Sequence, residues 1–204
     1  GLLPVFAGLI ARQVARGRAK GEGRRPVQGA PPAGELAALV LRAGGSAAEV
    51  KPGPAVLPTI GGALRVPKEM IGARDAVALG VAVQEAGLRL LAAREPEPVE
   101  MRIRVLVFGA AGPAFALLIA VFAGIAMRGA LGWIIGALVL IAGLASLLQL
   151  LTTGVELRAA ALGMATLRKT KPAIHPSDLD RIEEAGEAAA WRRALPASLA
   201  WILP

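Results

Sequence analysis

The chain of 204 residues is 55% hydrophobic and only 19% charged, a balance that argues against most soluble folds and favours a membrane protein. Aromatic residues make up 3% of the chain, so small and aliphatic side chains supply most of the apolar mass, as in helices packed closely within lipid. The absence of cysteine excludes disulfides, thiolate zinc sites and thiol catalysis.

The net charge of +8 is concentrated outside the most apolar part of the chain. Of the 23 Lys and Arg residues, 15 lie between Arg12 and Arg104, seven follow residue 151, and one is Arg128. This distribution is the positive-inside pattern of membrane proteins. No aromatic-rich basic strand or zinc finger accompanies it, so we predict no nucleic-acid partner.

The first 11 residues carry no charge, but a membrane-spanning helix needs about 20 residues. We interpret residues 1–25 as the end of a truncated N-terminal span followed by a basic flank. The competing interpretation is the apolar core of a signal peptide, but no basic residues precede the apolar segment and the basic stretch follows it.

Residues 26–103 are predicted to form a mainly helical region with at most one short strand. Prolines at 52, 54 and 58 favour a loop, and prolines at 96 and 98 end the last helix. The predicted elements are a linker over 26–34, a helix over 35–43, a loop over 50–62, a strand over 63–66 and a helix over 75–95.

Two long uncharged segments, 105–127 and 129–155, are each long enough to cross a hydrocarbon core of about 30 Å at about 1.5 Å per residue. Only Arg128 separates them, so residues 104–155 are predicted to form an antiparallel transmembrane hairpin. The fold class is therefore a mainly α integral membrane protein, with a hairpin attached to a helical cytoplasmic region.

Small residues recur four apart within this hairpin, a spacing that allows two helices to approach closely. The contact could be made with another protein or within the hairpin, or the pairs could simply reflect the abundance of Gly and Ala in spans. The candidate helix-packing residues are Gly132 and Gly136 on the second span and Ala116, Ala120 and Gly124 on the first.

Residues 156–204 are predicted to form cytoplasmic helices and an apolar tail over 195–203. One helix continues from the second span, and another begins near His175, with Ser177 or Asp178 as its N-cap. Because a hairpin returns the chain to its starting side, all basic residues except Arg128 share one face. That face is predicted to be the cytoplasmic side of a bacterial inner membrane.

A zincin carries two His residues four apart on one helix, with a Glu after the first His that takes a proton from the zinc-bound water. The helix predicted over 75–95 reads Gln84-Glu85-Ala86-Gly87-Leu88 at the matching place. The sequence here resembles the bacterial membrane family of neutral zinc metallopeptidases, whose helix carries His-Glu-Ala-Gly-His.

Four blocks in the same order carry this resemblance, which covers most of the chain. They are 32–37 with 41–45 for the first helix and its Gly stop, 64–69 for the short strand, 81–87 for the catalytic helix, and 153–160 for the segment that follows the paired spans. In the last block the family's Pro-Val-Glu-Phe segment supplies a third metal ligand, and Glu156 stands at that position.

The resemblance implies a zincin-like region over 26–103 that has lost its zinc site. Gln84 and Leu88 replace the two His ligands, while Glu85 and Glu156 remain. Zinc is therefore predicted to be absent, and without it Glu85 has no activated water to serve. The ordinary interpretation is that both carboxylates are solvated or paired with basic neighbours such as Arg89 or Arg158.

These features predict a catalytically inactive protein that is a structural or accessory subunit of a larger membrane assembly, whether respiratory, photosynthetic or proteolytic. Its expected partners are the lipid bilayer and other membrane-protein subunits, and no cofactor is expected. The alternative is an active membrane metallopeptidase with unorthodox metal ligands. The single histidine, His175, precedes a proline and is expected to lie on the surface.

Overall fold

The structure, a computed structural model, describes residues 25–53, 62–126 and 131–194, together with helical backbone at positions 3, 6, 9, 10 and 13. The rest of the predicted N-terminal span and its basic flank, the Arg128 turn and the predicted apolar tail lie outside the described residues. The elements are α1 (Ala33–Ala43), β1 (Val50–Gly53), β2 (Leu64–Pro67), α2 (Ala76–Arg94), α3 (Pro96–Ala126), α4 (Leu131–Lys169) and α5 (Pro176–Arg192). The predicted mainly helical fold is confirmed.

Local chemistry sets the ends of these helices. The side chain of Asp75 accepts a hydrogen bond from the Ala78 N–H at 3.0 Å and caps the start of α2. The N-cap of α5 is His175, whose Nδ1 accepts from the Ser177 N–H at 3.3 Å. The sequence prediction of Ser177 or Asp178 as the cap was wrong, because Pro176 already occupies the first helical turn.

The prediction of at most one short strand was wrong. β1 and β2 form a two-stranded parallel sheet with Val50 opposite Leu64 and Gly53 opposite Pro67. The sequence obscures β1 because Pro52 and Gly53 are typical of a loop. In a sheet of two strands, however, each strand has an edge that makes no ladder hydrogen bonds, and proline is tolerated there.

Among the described residues, three helices are long and apolar enough to cross a membrane: α2, α3 and α4. The apolar segment of α2 is 83% buried inside the protein, whereas those of α3 and α4 are only 17% and 22% buried. α2 is therefore apolar because other helices enclose it. α3 and α4 present bulky apolar side chains such as Phe115 and Leu140 outwards, as in a membrane protein surrounded by lipid.

Helices α3 and α4 lie antiparallel. Near the start of α3, Arg102 bonds to Glu156, and two turns later Gly109 faces Gln149, so the contacts on α4 run backwards along the chain. The two helices contain 31 and 39 residues, or about 46 and about 58 Å at 1.5 Å per residue. They run unbroken through the domain boundaries predicted at 103/104 and 155/156, so the hairpin and the remaining helices share continuous elements.

Helix α2 lies between α4 and α5 at backbone contact distance. A Cβ added to Gly87 would lie 2.9 Å from both the carbonyl carbon of Ala159 and the nitrogen of Gly163 in α4. On the α5 side, a Cβ added to Gly80 would lie 2.6 Å from the nitrogen of Gly186. These glycines let α2 approach both neighbours closely, and this approach brings Gln84 within hydrogen-bonding distance of Glu156 on α4.

Candidate functional site

Four charged side chains from four parts of the chain meet where the hairpin joins the other helices, and we call them the ion quartet. Glu85 comes from α2, Arg102 from the start of α3, Glu156 from α4, and Arg193 from the residue that ends α5. Two carboxylates and two guanidinium groups give the quartet a formal charge of zero. Such balance is what allows ionised groups to stay buried.

Arg102 has the most complete set of partners in the quartet, with no exposed surface. Its Nε donates to Glu156 Oε1 at 2.8 Å, and Nη2 lies 2.8 Å from the same oxygen. Nη1 donates to the Gln149 carbonyl at 2.9 Å and to Thr152 Oγ1 at 2.8 Å, and Nη2 also donates to the Arg193 carbonyl at 2.9 Å. Every nitrogen of the guanidinium group therefore has an acceptor, which offsets much of the cost of burying the charge.

Hydroxyl groups of α4 hold this arrangement in place. Thr152 Oγ1 accepts from Arg102 and donates to the Leu148 carbonyl at 2.8 Å, while Thr153 Oγ1 donates to the Gln149 carbonyl at 2.7 Å. Both bonds return to carbonyls four residues earlier in the same helix. Gln149, Thr152, Thr153 and Glu156 thus form a polar stripe along one face of an otherwise apolar helix.

Glu156 is fully buried, and both of its oxygens are engaged. Oε1 faces Arg102, and Oε2 accepts from Gln84 Nε2 at 3.0 Å and lies 3.6 Å from Arg193 Nη1. Gln84 is also buried, and its amide donates a hydrogen bond without adding a charge. A cation at this position would give the buried group of side chains a net positive charge. The result is a carboxylate whose charge is met by the protein's own donors.

Glu85 is buried, and its Oε1 accepts a short hydrogen bond from Arg193 Nη2. Burial acts to lower the pKa of Arg193, but the charges of Glu85 and Glu156 and their hydrogen bonds outweigh it, so the pKa is raised above its ordinary value. These contacts favour the charged form of the guanidinium group. It lies between two carboxylates that are 71 positions apart in the sequence.

The structure brings together three of the four positions singled out by the metallopeptidase resemblance: Gln84, Glu85 and Glu156. Leu88 lies one turn further along α2 in a separate apolar cluster with Leu91, Val99 and Ala159. Its side chain packs against neighbouring helices, as expected of a buried leucine.

The sequence interpretation suggested that the carboxylates are solvated or paired with basic neighbours such as Arg89 or Arg158, and the structure pairs them with Arg102 and Arg193. Arg89 donates to the Gly62 carbonyl at 3.2 Å, and Arg158 pairs with Glu95 at 2.9 Å on the surface. Arg158 is exposed and Arg89 is half-buried, whereas Glu85 and Glu156 are buried at the junction between helices.

The sequence analysis missed Arg102 and Arg193. A signal for Arg102 exists, because the polar stripe on α4 requires a buried polar partner and Arg102 lies next to an apolar span. No comparable signal exists for Arg193, which follows Glu85 by 108 positions in the chain. Only the docking of α5 against α2 brings these two residues together.

The residues present do not fit the zinc site that the resemblance implies. Leu88 has no donor atom, Gln84 directs its N–H at Glu156, and a guanidinium group lies between the two carboxylates. Within residues 25–53, 62–126 and 131–194, no group of three or more His, Cys, Asp and Glu side chains is placed to hold a metal. His175 is exposed at the start of α5, with its Nδ1 2.8 Å from Ser177 Oγ.

The predicted helix-packing residues lie in two different environments. Gly132 and Gly136 are exposed, and a Cβ built on either one meets no described atom within 4 Å. Ala116 and Ala120 are half-buried on α3, and the burial of Gly124 lies outside what the structure describes. The Gly132–Gly136 face thus points away from the rest of the described chain.

Comparison with known proteins finds no matching family model, no matching curated protein and no matching solved structure.

Proposed function

We propose that this protein is a catalytically inactive relative of the membrane zinc metallopeptidases, and that it serves as a structural or accessory subunit of a larger membrane assembly. The observation that carries the proposal is the position of Arg193, whose guanidinium group lies between Glu85 and Glu156. In the metallopeptidases that the sequence resembles, the Glu at the first position takes a proton from the metal-bound water, and the Glu at the second position binds the metal. Here a positively charged side chain engages both.

A structural use of the carboxylates follows from their partners. A general base must have an oxygen that can reach a substrate-bound proton, and a metal ligand must have a lone pair that can reach the metal. Glu156 is buried with both oxygens engaged, and Glu85 contacts Arg193. The same contacts join α2, α3, α4 and the end of α5, so the carboxylates cross-link these helices.

The membrane assembly is supported by the outward apolar faces of α3 and α4 and by the charge distribution. Exposed side chains such as Phe122 and Leu151 require lipid or another apolar helix around them. The basic residues flanking the hairpin fit the cytoplasmic side of a bacterial inner membrane. Other membrane-protein subunits are accordingly the proposed partners, with no cofactor and no nucleic acid.

The proposal predicts that the purified protein holds no stoichiometric zinc and that Glu85→Gln retains the biological role. Gln at position 85 keeps an oxygen that can accept from Arg193, whereas a zincin loses its general base with this change. Elemental analysis of the purified protein and complementation of a deletion strain measure the two results. About one zinc per chain, together with loss of the role in Glu85→Gln, would instead establish an active metallopeptidase with unorthodox ligands.

A second prediction concerns the exposed face of α4. Gly132→Leu and Gly136→Leu are expected not to lower the melting temperature, because nothing described lies within 4 Å of either Cβ and Leu is a better helix former than Gly. If a partner helix packs there, each change should weaken co-purification with that partner, since Leu fills the groove that the helices share. The matched control is Ala137→Leu, an exposed position on the same helix, about 100° around it from Gly136 and about 140° from Gly132. Equal co-purification of all three variants would remove this face from the interface.

A further inference from the structure

The two carboxylates of the ion quartet depend on different arginines for their counter-charge. Arg102 directs its donors at Glu156, Gln149, Thr152 and the carbonyl of Arg193, and none of these bonds reaches Glu85. Glu85 forms its ion pair with Arg193 instead. Without Arg193, the buried group of Glu85, Glu156 and Arg102 would therefore carry one net negative charge.

The position of Arg193 differs from that of its partners in access to solvent. The side chains of Glu85 and Glu156 are 8% and 0% exposed, whereas that of Arg193 is 23% exposed. The backbone of Arg193 also contributes to the quartet, because its carbonyl accepts a hydrogen bond from Arg102. Arg193 therefore has the most exposed side chain of the quartet, although its Nη1 is buried against the two carboxylates.

We infer that Glu85, Glu156 and Gln84 form a guanidinium-binding site whose ligand, the side chain of Arg193, is supplied by the chain itself. The inference rests on the premise of the proposed function that this site is structural. Gln84 holds Glu156 Oε2 in place, Glu85 supplies the nearest carboxylate oxygen, and Arg193 contacts both acids. The planar guanidinium group suits this role because its fork can reach two carboxylates at once.

The site should accept a free guanidinium ion once its own ligand is removed. Arg193→Ala is expected to lower the melting temperature, because it leaves a buried carboxylate without its counter-charge. Guanidinium chloride, kept well below denaturing concentrations, should then raise the melting temperature of this variant in a saturable way. Sodium chloride at equal ionic strength should not, and neither salt should raise the melting temperature of the unchanged protein. The matched control is Arg192→Ala, which alters the exposed neighbour and should show no guanidinium-specific rise.

A charge-balance cycle tests the same site if Arg193→Ala alone folds poorly. Glu85→Gln should destabilise the unchanged protein but stabilise the Arg193→Ala variant, because there it removes the uncompensated charge. The double variant should therefore fold better than Arg193→Ala alone, and guanidinium should no longer stabilise it. This reversal of sign is specific to a charge pair and is not expected from lost packing.

Three results would overturn the inference: no guanidinium-specific rise in a folded Arg193→Ala variant, an equal rise in the double variant, or a rise with Zn²⁺ in place of guanidinium. None of these measurements depends on complementation or on the zinc content of the unchanged protein. Failure of the guanidinium site and failure of the proposed function are therefore separate outcomes.

Discussion

Replacing Arg102 with Met is expected to lower the free energy of unfolding by about 3–5 kcal/mol, the cost of leaving a buried carboxylate without its partner. Glu156 is fully buried and takes its closest ion pair from Arg102. Met fills much of the volume of the arginine stem, so the loss should arise from charge more than from a cavity. Unfolding of the detergent-solubilised protein by increasing denaturant measures the change.

Arg104 provides the matched control for this prediction. It lies two residues further along α3, is 82% exposed, and pairs with Glu100 at 3.6 Å. An exposed pair of this kind contributes about 0–1 kcal/mol, so Arg104→Met should have little effect. The double variant Arg102→Met/Glu156→Gln removes both charges and should recover much of the lost stability. Equal losses for Arg102→Met and Arg104→Met would contradict a buried ionic junction.

The second large effect is expected at Gly87, where Ala should lower the free energy of unfolding by about 3 kcal/mol. The added methyl group would overlap the carbonyl of Ala159, and backbone cannot turn aside as a flexible side chain can. To make room, α2 and α4 must separate, which also draws Gln84 away from Glu156. The same denaturation experiment should therefore show the loss, and α2 should lose protection from hydrogen exchange.

The control for Gly87→Ala is Gly154→Ala. Gly154 lies within α4, is exposed, and has no described atom within 4 Å of an added Cβ. Ala is a better helix former than Gly, so this change should raise stability by about 0.5 kcal/mol. The two substitutions are chemically identical, and opposite signs would establish that helix contact decides the outcome. A neutral Gly87→Ala would show that α2 and α4 are further apart than the structure places them.

The polar junction was only partly predictable from the chain. The resemblance to the metallopeptidase helix picked out Gln84, Glu85 and Glu156, and the structure brings these three residues together. Their cationic partners were not predicted, because ionic partners in a folded chain depend on which helices meet. The sequence analysis counted Arg102 only among the 15 basic residues between Arg12 and Arg104, yet it has no exposed surface.

Local sequence determined most of the helices. Uncharged length predicted the apolar parts of α3 and α4, and prolines marked the break between α2 and α3, because these properties act within one segment. Strand β1 was missed because its parallel partner lies 14 positions later in the chain, and the residues between them supply no local signal for the pairing.

Only the tertiary structure decided whether each apolar helix is buried inside the protein or faces outwards. Helices α2, α3 and α4 all have the length and composition of a membrane span, yet α2 is enclosed by the protein while α3 and α4 face outwards. Composition cannot separate these cases, since a side chain loses contact with water equally well in a protein core and in lipid. The close approach at Gly80 and Gly87, which encloses α2, depends on the shapes of the facing helices, and so does the docking that brings Arg193 to Glu85.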